Sequence, residues 1–274
     1  MNYYVLRSFD HAGYYETRLL LLLVTLGVVI WFARRRRDHR YLIAFLSGVL
    51  FQSLMEWTLK RSSLRGANFT LSVFGWLVPD GVTWLFQGCI EGGVLSVMSF
   101  WFLDLYWRRK QGQAHADQRG YWLVCGLIVV LAAIVGVLAA GRPITSPRPM
   151  FASSALSRVA INGLISMGIV WWRGRRLGLR YLFWFWVGLL IYAVLTFETL
   201  HLTGARYIGV PLADGQFAAA PFPMQILLML WSHIWDIAFS KIHYFAVPFA
   251  LGLLKFREEK NEDVFVQGLQ NSVR

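Results

Sequence analysis

The chain has 274 residues, of which 57% are hydrophobic and 16% aromatic, and its mean hydropathy of +0.48 is too high for an ordinary soluble domain of this length. Its formal charge of +12 would suit nucleic acid, but the basic residues cluster at the ends of apolar stretches, so no nucleic-acid partner is expected. Strict two-residue alternation is absent, which favours helices over a membrane barrel.

Seven apolar stretches are long enough to cross a hydrocarbon core of ~30 Å. They lie at about 19–33, 41–58, 81–106, 121–141, 151–172, 181–203 and 226–254. The expected fold is therefore all-α, a polytopic seven-transmembrane-helix bundle forming a single domain over residues 1–274. The first stretch lacks a small-residue cleavage site and runs into RRRRDHR, so it is expected to remain in the mature protein, with Arg34 to Arg37 acting as a topology signal. Seventeen of the 27 lysines and arginines fall after the first helix, between the third and fourth, in RGRRLGLR and in the C-terminal tail; eight fall in the opposite connections, and only Arg158 and Lys241 lie within spans. By the positive-inside rule the N-terminus is outside and the tail, 258–274, is cytoplasmic. A multi-pass protein of the plasma or inner membrane, or of the endoplasmic reticulum, is expected, with membrane lipids as partners and a place in a larger membrane complex left open.

The outer connections at 59–80 and 204–223 carry apolar and aromatic residues and are expected to fold back as a lid. Asn68, in ANFT, has the form of a glycosylation acceptor in the first of them. Cys89 and Cys125 fall inside spans and should act as small hydrophobes without a disulfide.

Ionisable residues at bilayer depth cost several kcal/mol unless paired, neutralised or hydrated, so each marks a candidate site. At 1.5 Å per residue, Glu56, Glu91, Arg158, Glu198, His201, His233 and Asp236 all fall in the outer half of the membrane. Glu198 and His201 are three apart, as are His233 and Asp236, which on an α-helix puts each pair on one face. Two such helices, with Glu56 and Glu91 as single donors, resemble the ligand supply of a di-metal carboxylate bundle. Glu198, His201 and His233 are thus candidate ligands for a divalent metal, and the same groups with Arg158 equally fit a metal-free acid/base network. Glu56, Glu91 and Asp236 are the candidate catalytic acids, and Glu91, His233 and Asp236 are expected to face one cavity.

Lys241 lies near the middle of the last span, where rhodopsins carry a retinal lysine. Asp236 lies five residues before it, ~140° away around a helix, and Ile237 takes the place of the carboxylate one turn before, so retinal is not the expected cofactor. Trp57, Trp84, Trp231 and Trp235 neighbour the acids and, with Arg158 and Lys241, form the candidate binding surface for a hydrophobic small-molecule substrate.

A carboxylic acid kept neutral in apolar surroundings is what protonating an alkene or epoxide of an isoprenoid requires. Here the chain resembles the integral-membrane terpene cyclases of meroterpenoid pathways, small seven-helix proteins whose activity depends on one glutamate early in the bundle and one aspartate in the last helix. The matching positions are Glu56, in SLMEWTLK, and Asp236, in IWDIAF. The resemblance covers the helix count and those two placements, and it implies acid catalysis on an isoprenoid. The expected function is an intramembrane enzyme using buried carboxylates on a lipid or isoprenoid, as a cyclase or isomerase or with metal assistance. The alternatives are a proton-coupled or small-solute transporter, a seven-helix chromophore-binding sensor, and a non-catalytic subunit of a membrane complex.

Overall fold

A computed structural model describes residues 2–9, 12–61, 71–111, 117–144, 147–151 and 153–256. Six long helices carry the chain: α1 (Tyr14–Arg35), α2 (Arg40–Arg61), α3 (Thr83–Lys110), α4 (Gln118–Ala139), α5 (Leu156–Leu202) and α6 (Phe222–Ala250). Among the described residues five of them, all but α2, are long and apolar enough to cross a membrane, as in a multi-pass membrane protein. Asn68 and the tail 258–274 lie outside the described residues.

The expected count of seven separate helices is corrected to six. The stretches at 151–172 and 181–203 belong to one helical run, α5, broken at a single residue, Arg175, with φ 47° and ψ −134°. The chain reverses there so tightly that a Cβ on Gly178 would lie 2.7 Å from the Val170 carbonyl oxygen. Two arms of α5 therefore lie back to back, and RGRRLGLR is a helical corner, because its leucines and arginines keep helical geometry up to the break.

α2 has lower mean hydropathy for a physical reason. Leu42, Leu46, Leu50 and Leu54 form an exposed stripe at four-residue spacing, while Ser47, Gln52, Ser53 and Glu56 are buried. An outward leucine stripe with inward polar groups inverts the pattern of a water-soluble helix.

The fold is also not purely α. Short strands form at β1 (Tyr4–Arg7), β2 (Ser72–Val73), β3 (Trp76–Leu77), β4 (Arg148–Pro149), β5 (Arg206–Pro211) and β6 (Phe217–Ala219). β2 and β3 make a hairpin, and the other four make one sheet in the order β4-β1-β5-β6. The connection at 204–223, expected as a lid, is instead the ordered β5–β6 half of that sheet. Val5, Met150, Ile208, Ala220, Leu228 and Met229 pack together and seat the sheet on α6. An N-terminal strand ties this connection down, a pairing far apart in sequence that no local pattern announces.

α2 and α3 cross at glycines. A Cβ on Gly48 would overlap the carbonyl of Gly92, and a Cβ on Gly92 would overlap that of Gly48. Gly88 and Gly92 have the small-xxx-small spacing that lets helix backbones touch in membranes. This contact sets Gln52 and Glu56, one and two turns beyond Gly48, alongside Glu91.

The end of the bundle opposite the sheet holds a charge clasp. Asp104, 2% exposed, accepts from Arg40 (3.0 Å), Arg108 Nε (2.8 Å) and Tyr41 OH (2.9 Å). Asp38 pairs with Arg40 at 2.7 Å and Arg108 at 3.4 Å, and Asp117 with Arg36 at 3.0 Å. Burial alone would raise the Asp38 carboxyl, but the hydrogen bonds and charge of Arg40, helped by Arg108, hold it below its usual value. Asp104→Ala takes one carboxylate from Arg40 and Arg108, which keep Asp38, and is expected to cost ~1–3 kcal/mol, read as a lowered thermal midpoint in detergent.

Candidate functional site

Three stretches of π-helical turn interrupt the long helices: Gly88–Gly93 in α3, Val194–Glu198 in α5 and Ser232–Ala238 in α6. They carry Glu91, Glu198, and the pair His233 and Asp236. Such widened turns recur at functional sites because they aim side chains that a regular helix would not. The acids they present fall into two clusters.

The first cluster is built on Gln52 of α2. Its Nε2 donates to Glu56 Oε1 at 3.0 Å and to Glu91 Oε2 at 3.4 Å. Its Oε1 accepts from Lys241 Nζ at 3.0 Å and from Tyr244 OH at 2.6 Å. The amide orientation follows from chemistry, since an ammonium only donates and a carboxylate only accepts. Tyr14 OH donates to Glu91 Oε1 at 3.5 Å, and Arg18 stands over the Tyr14 ring at 4.8 Å while donating to Tyr192 OH at 2.5 Å. Glu56 is 2% exposed, Arg18 6%. One amide thus joins two carboxylates, an ammonium and a phenol from α2, α3 and α6. A crevice lined by Tyr14, Thr17, Arg18, Ile128 and Leu131 opens beside it.

The second cluster is built on Arg206 of β5, 3% exposed. Its guanidinium donates to Ser232 Oγ (3.0 Å), Met229 Sδ (3.2 Å) and His233 Nε2 (3.3 Å), and lies 4.6 Å from the centre of the Phe197 ring. Arginine has no acceptor, so His233 Nε2 offers its lone pair, and the ring proton sits on Nδ1, which faces Glu198 Oε1 at 3.3 Å. His201 Nδ1 meets the Arg206 carbonyl at 3.0 Å. Asp236 Oδ2 accepts from Arg148 at 2.8 Å and from Ser232 at 3.3 Å. Burial, then the nearby Arg148 and Arg7, push the Arg206 guanidinium down to about 9, against the pull of Asp236 and Glu198, so it stays charged at neutral pH.

The structure thus brings Glu56 and Glu91 together and also brings Glu198, His201 and His233 near one another. It does not bring Glu91, His233 and Asp236 to one cavity, because Glu91 joins Gln52 and the other two join Arg206 and Arg148. Nor do Glu198, His201 and His233 converge on a point, since the Arg206 guanidinium and backbone occupy the centre. Among the described residues no group of three or more His, Cys, Asp or Glu is arranged to hold a metal ion. Asp236 joins Arg148 and Ser232, and the α6 residues that reach Gln52 are Lys241 and Tyr244. Trp57 is 42% exposed over Arg61, and Arg158 is exposed, so neither lines an enclosed cavity. Trp84 is half-buried, and Trp231, Trp235 and Phe239 stack in sequence along α6 at 5.5 and 5.1 Å.

Gln52, Tyr14, Arg18, Tyr244 and Arg206 are site residues that the sequence reading passed over. Gln52 lies four before Glu56, a helical spacing that could have flagged it. No family model matches the chain, and no curated protein and no solved structure matches it either.

Proposed function

We propose that the protein is an intramembrane enzyme that performs carboxylate acid/base chemistry on a lipid or isoprenoid substrate, with Glu91 and Glu56 as the proton-transfer pair. The observation that carries this reading is the Gln52 amide, which holds two carboxylates, Lys241 and Tyr244 in one interior cluster. A side-chain amide orients carboxylates without taking their proton, so an acid and a base are presented side by side. Tyr14 extends the cluster toward the small crevice between α1 and α4. In this reading Asp236, ion-paired with Arg148, secures the sheet to α6.

Toward the other end of the bundle the interior is aromatic. Phe185 and Phe245 pack at 5.3 Å, Phe245 and Phe249 at 5.3 Å, and Tyr181 and Phe256 at 4.1 Å. This plug favours an enzyme closed on one side over a transporter, which needs polar groups continuing through. The seventeen-to-eight basic asymmetry supports an orientation with the charge clasp in the cytoplasm and the sheet, with the N-terminus, outside.

Lipid extracts of cells expressing the wild-type chain and Glu91→Gln test the reading. A lipid or isoprenoid species that rises or falls about tenfold or more with the wild type, and returns to background with an equally abundant, folded Glu91→Gln, is the expected result. Unchanged lipids, together with a proton gradient dissipated by wild-type but not Glu91→Gln proteoliposomes, would replace the enzyme by a transporter.

A further inference from the structure

We propose that the β2–β3 hairpin anchors the protein in the headgroup–acyl boundary of the lipid leaflet at the sheet end of the bundle, through Phe74, Trp76 and Leu77. These side chains are 71%, 81% and 71% exposed, and the hairpin sequence SVFGWL carries no charged residue. An exposed apolar cluster marks a protein or membrane contact, and tryptophan favours the membrane–water boundary, where its apolar ring and polar N–H are both served.

The level of the hairpin points to lipid. Its base is fixed: Leu71 and Val73 are buried in the main core, Val78 N donates to the Leu71 carbonyl at 2.8 Å, and Phe74 N donates to Glu16 Oε1 at 2.8 Å. Glu16 lies in the first turn of α1. Leu20, Leu23, Gly27 and Ile30 follow it at four, seven, eleven and fourteen residues, which is one helix face, and all four are exposed. That stripe runs down a helix long and apolar enough to cross a membrane, so acyl chains cover it and the hairpin sits at its upper edge.

The turn is an independent pointer. Phe74 and Gly75 are its two central residues, between the paired Val73 and Trp76, with φ 49° and 79°. Such turns ordinarily take Asn, Asp or Gly, and a bulky residue at positive φ is strained. The Phe74 ring gains little burial within the protein in return, so its contribution lies in what it meets outside. The inference is independent of the reaction proposed at Gln52.

Nitroxide labelling tests it on the full chain carrying Cys89→Ser and Cys125→Ser, in phosphatidylcholine vesicles. One cysteine is introduced as Leu77→Cys or, in the exposed turn between β5 and β6, as Asp214→Cys. Oxygen, which concentrates in lipid, should relax the label at 77 several-fold more than a water-soluble nickel chelate does, with the opposite order at 214. Adding Phe74→Gly and Trp76→Ser should raise the nickel collision rate at 77 several-fold, because the glycine eases the turn while the lipid contact is lost. A label at 77 relaxed more by nickel than by oxygen would overturn the proposal by placing the hairpin in water. Shielding from both reagents would overturn it by showing a contact with protein, a second copy of the chain included. An unmoved label in the double variant would overturn the assignment of the two aromatic rings to the anchor.

Discussion

Gly92→Leu is expected to leave almost no folded protein. The α2 and α3 backbones touch through Gly48 and Gly92, with each glycine's missing Cβ standing where the other's carbonyl lies. The obstacle is backbone on both sides, so no rotamer change relieves it and the helices must separate. Separation breaks the Gly88 contact with Ser53 and Val49 as well, and opens the buried interior around Gln52. Disruptions of this kind exceed ~4–5 kcal/mol, comparable with a total stability of ~5–15 kcal/mol. Size-exclusion profiles and thermal melts in detergent read the outcome. Gly168→Leu is the control, because nothing lies within 4 Å of a Cβ there, and it should behave like the wild type. If Gly92→Leu melts with Gly168→Leu, the crossing does not hold the bundle together.

Where apolar runs stand alone, as in α1, α3 and α4, their positions were legible, because long hydrophobic segments have few other uses. The errors arose where a rule of regular helices was carried through an irregular one. Depths and faces read at 1.5 Å and 100° per residue hold for a regular helix, but Ser232–Ala238 is a widened turn in which that rotation no longer applies. His233 therefore turns to Arg206 and Glu198 while Asp236 turns to Arg148, and the apparent metal pair dissolves. Arg18 was counted as a flanking charge because the apolar run starts after it, yet α1 begins at Tyr14 and buries it. Arg206 was counted as a loop charge for the same reason, since its burial depends on β1, about two hundred residues earlier in the chain. The charge density of RGRRLGLR suggests a separate connection, although a single residue with positive φ, Arg175, suffices to reverse the chain. Gln52 carries no formal charge and so does not stand out in the sequence, yet a neutral amide is the group best able to serve carboxylates and an ammonium at once.

Gln52→Leu should separate scaffold from chemistry. The leucine removes a donor shared by Glu56 and Glu91 and an acceptor shared by Lys241 and Tyr244, leaving interior charged groups with fewer partners than they have now. Each hydrogen bond to a charged group contributes ~1.5–3 kcal/mol, and some of the loss is recovered as the freed groups turn toward one another. A net cost of ~3–5 kcal/mol follows, about 10 °C in the melting midpoint of a chain this size. Glu91→Gln behaves differently, because its amide oxygen can still accept from Gln52 Nε2 while its amide NH2 donates to the Tyr14 hydroxyl oxygen, so its midpoint should fall by no more than a few degrees. It lacks only the exchangeable proton. A stable Glu91→Gln without activity beside an unstable Gln52→Leu assigns proton transfer to Glu91 and positioning to Gln52. If Gln52→Leu instead melts with the wild type, the two glutamates and Lys241 are held by other groups, and the amide is not what organises the site.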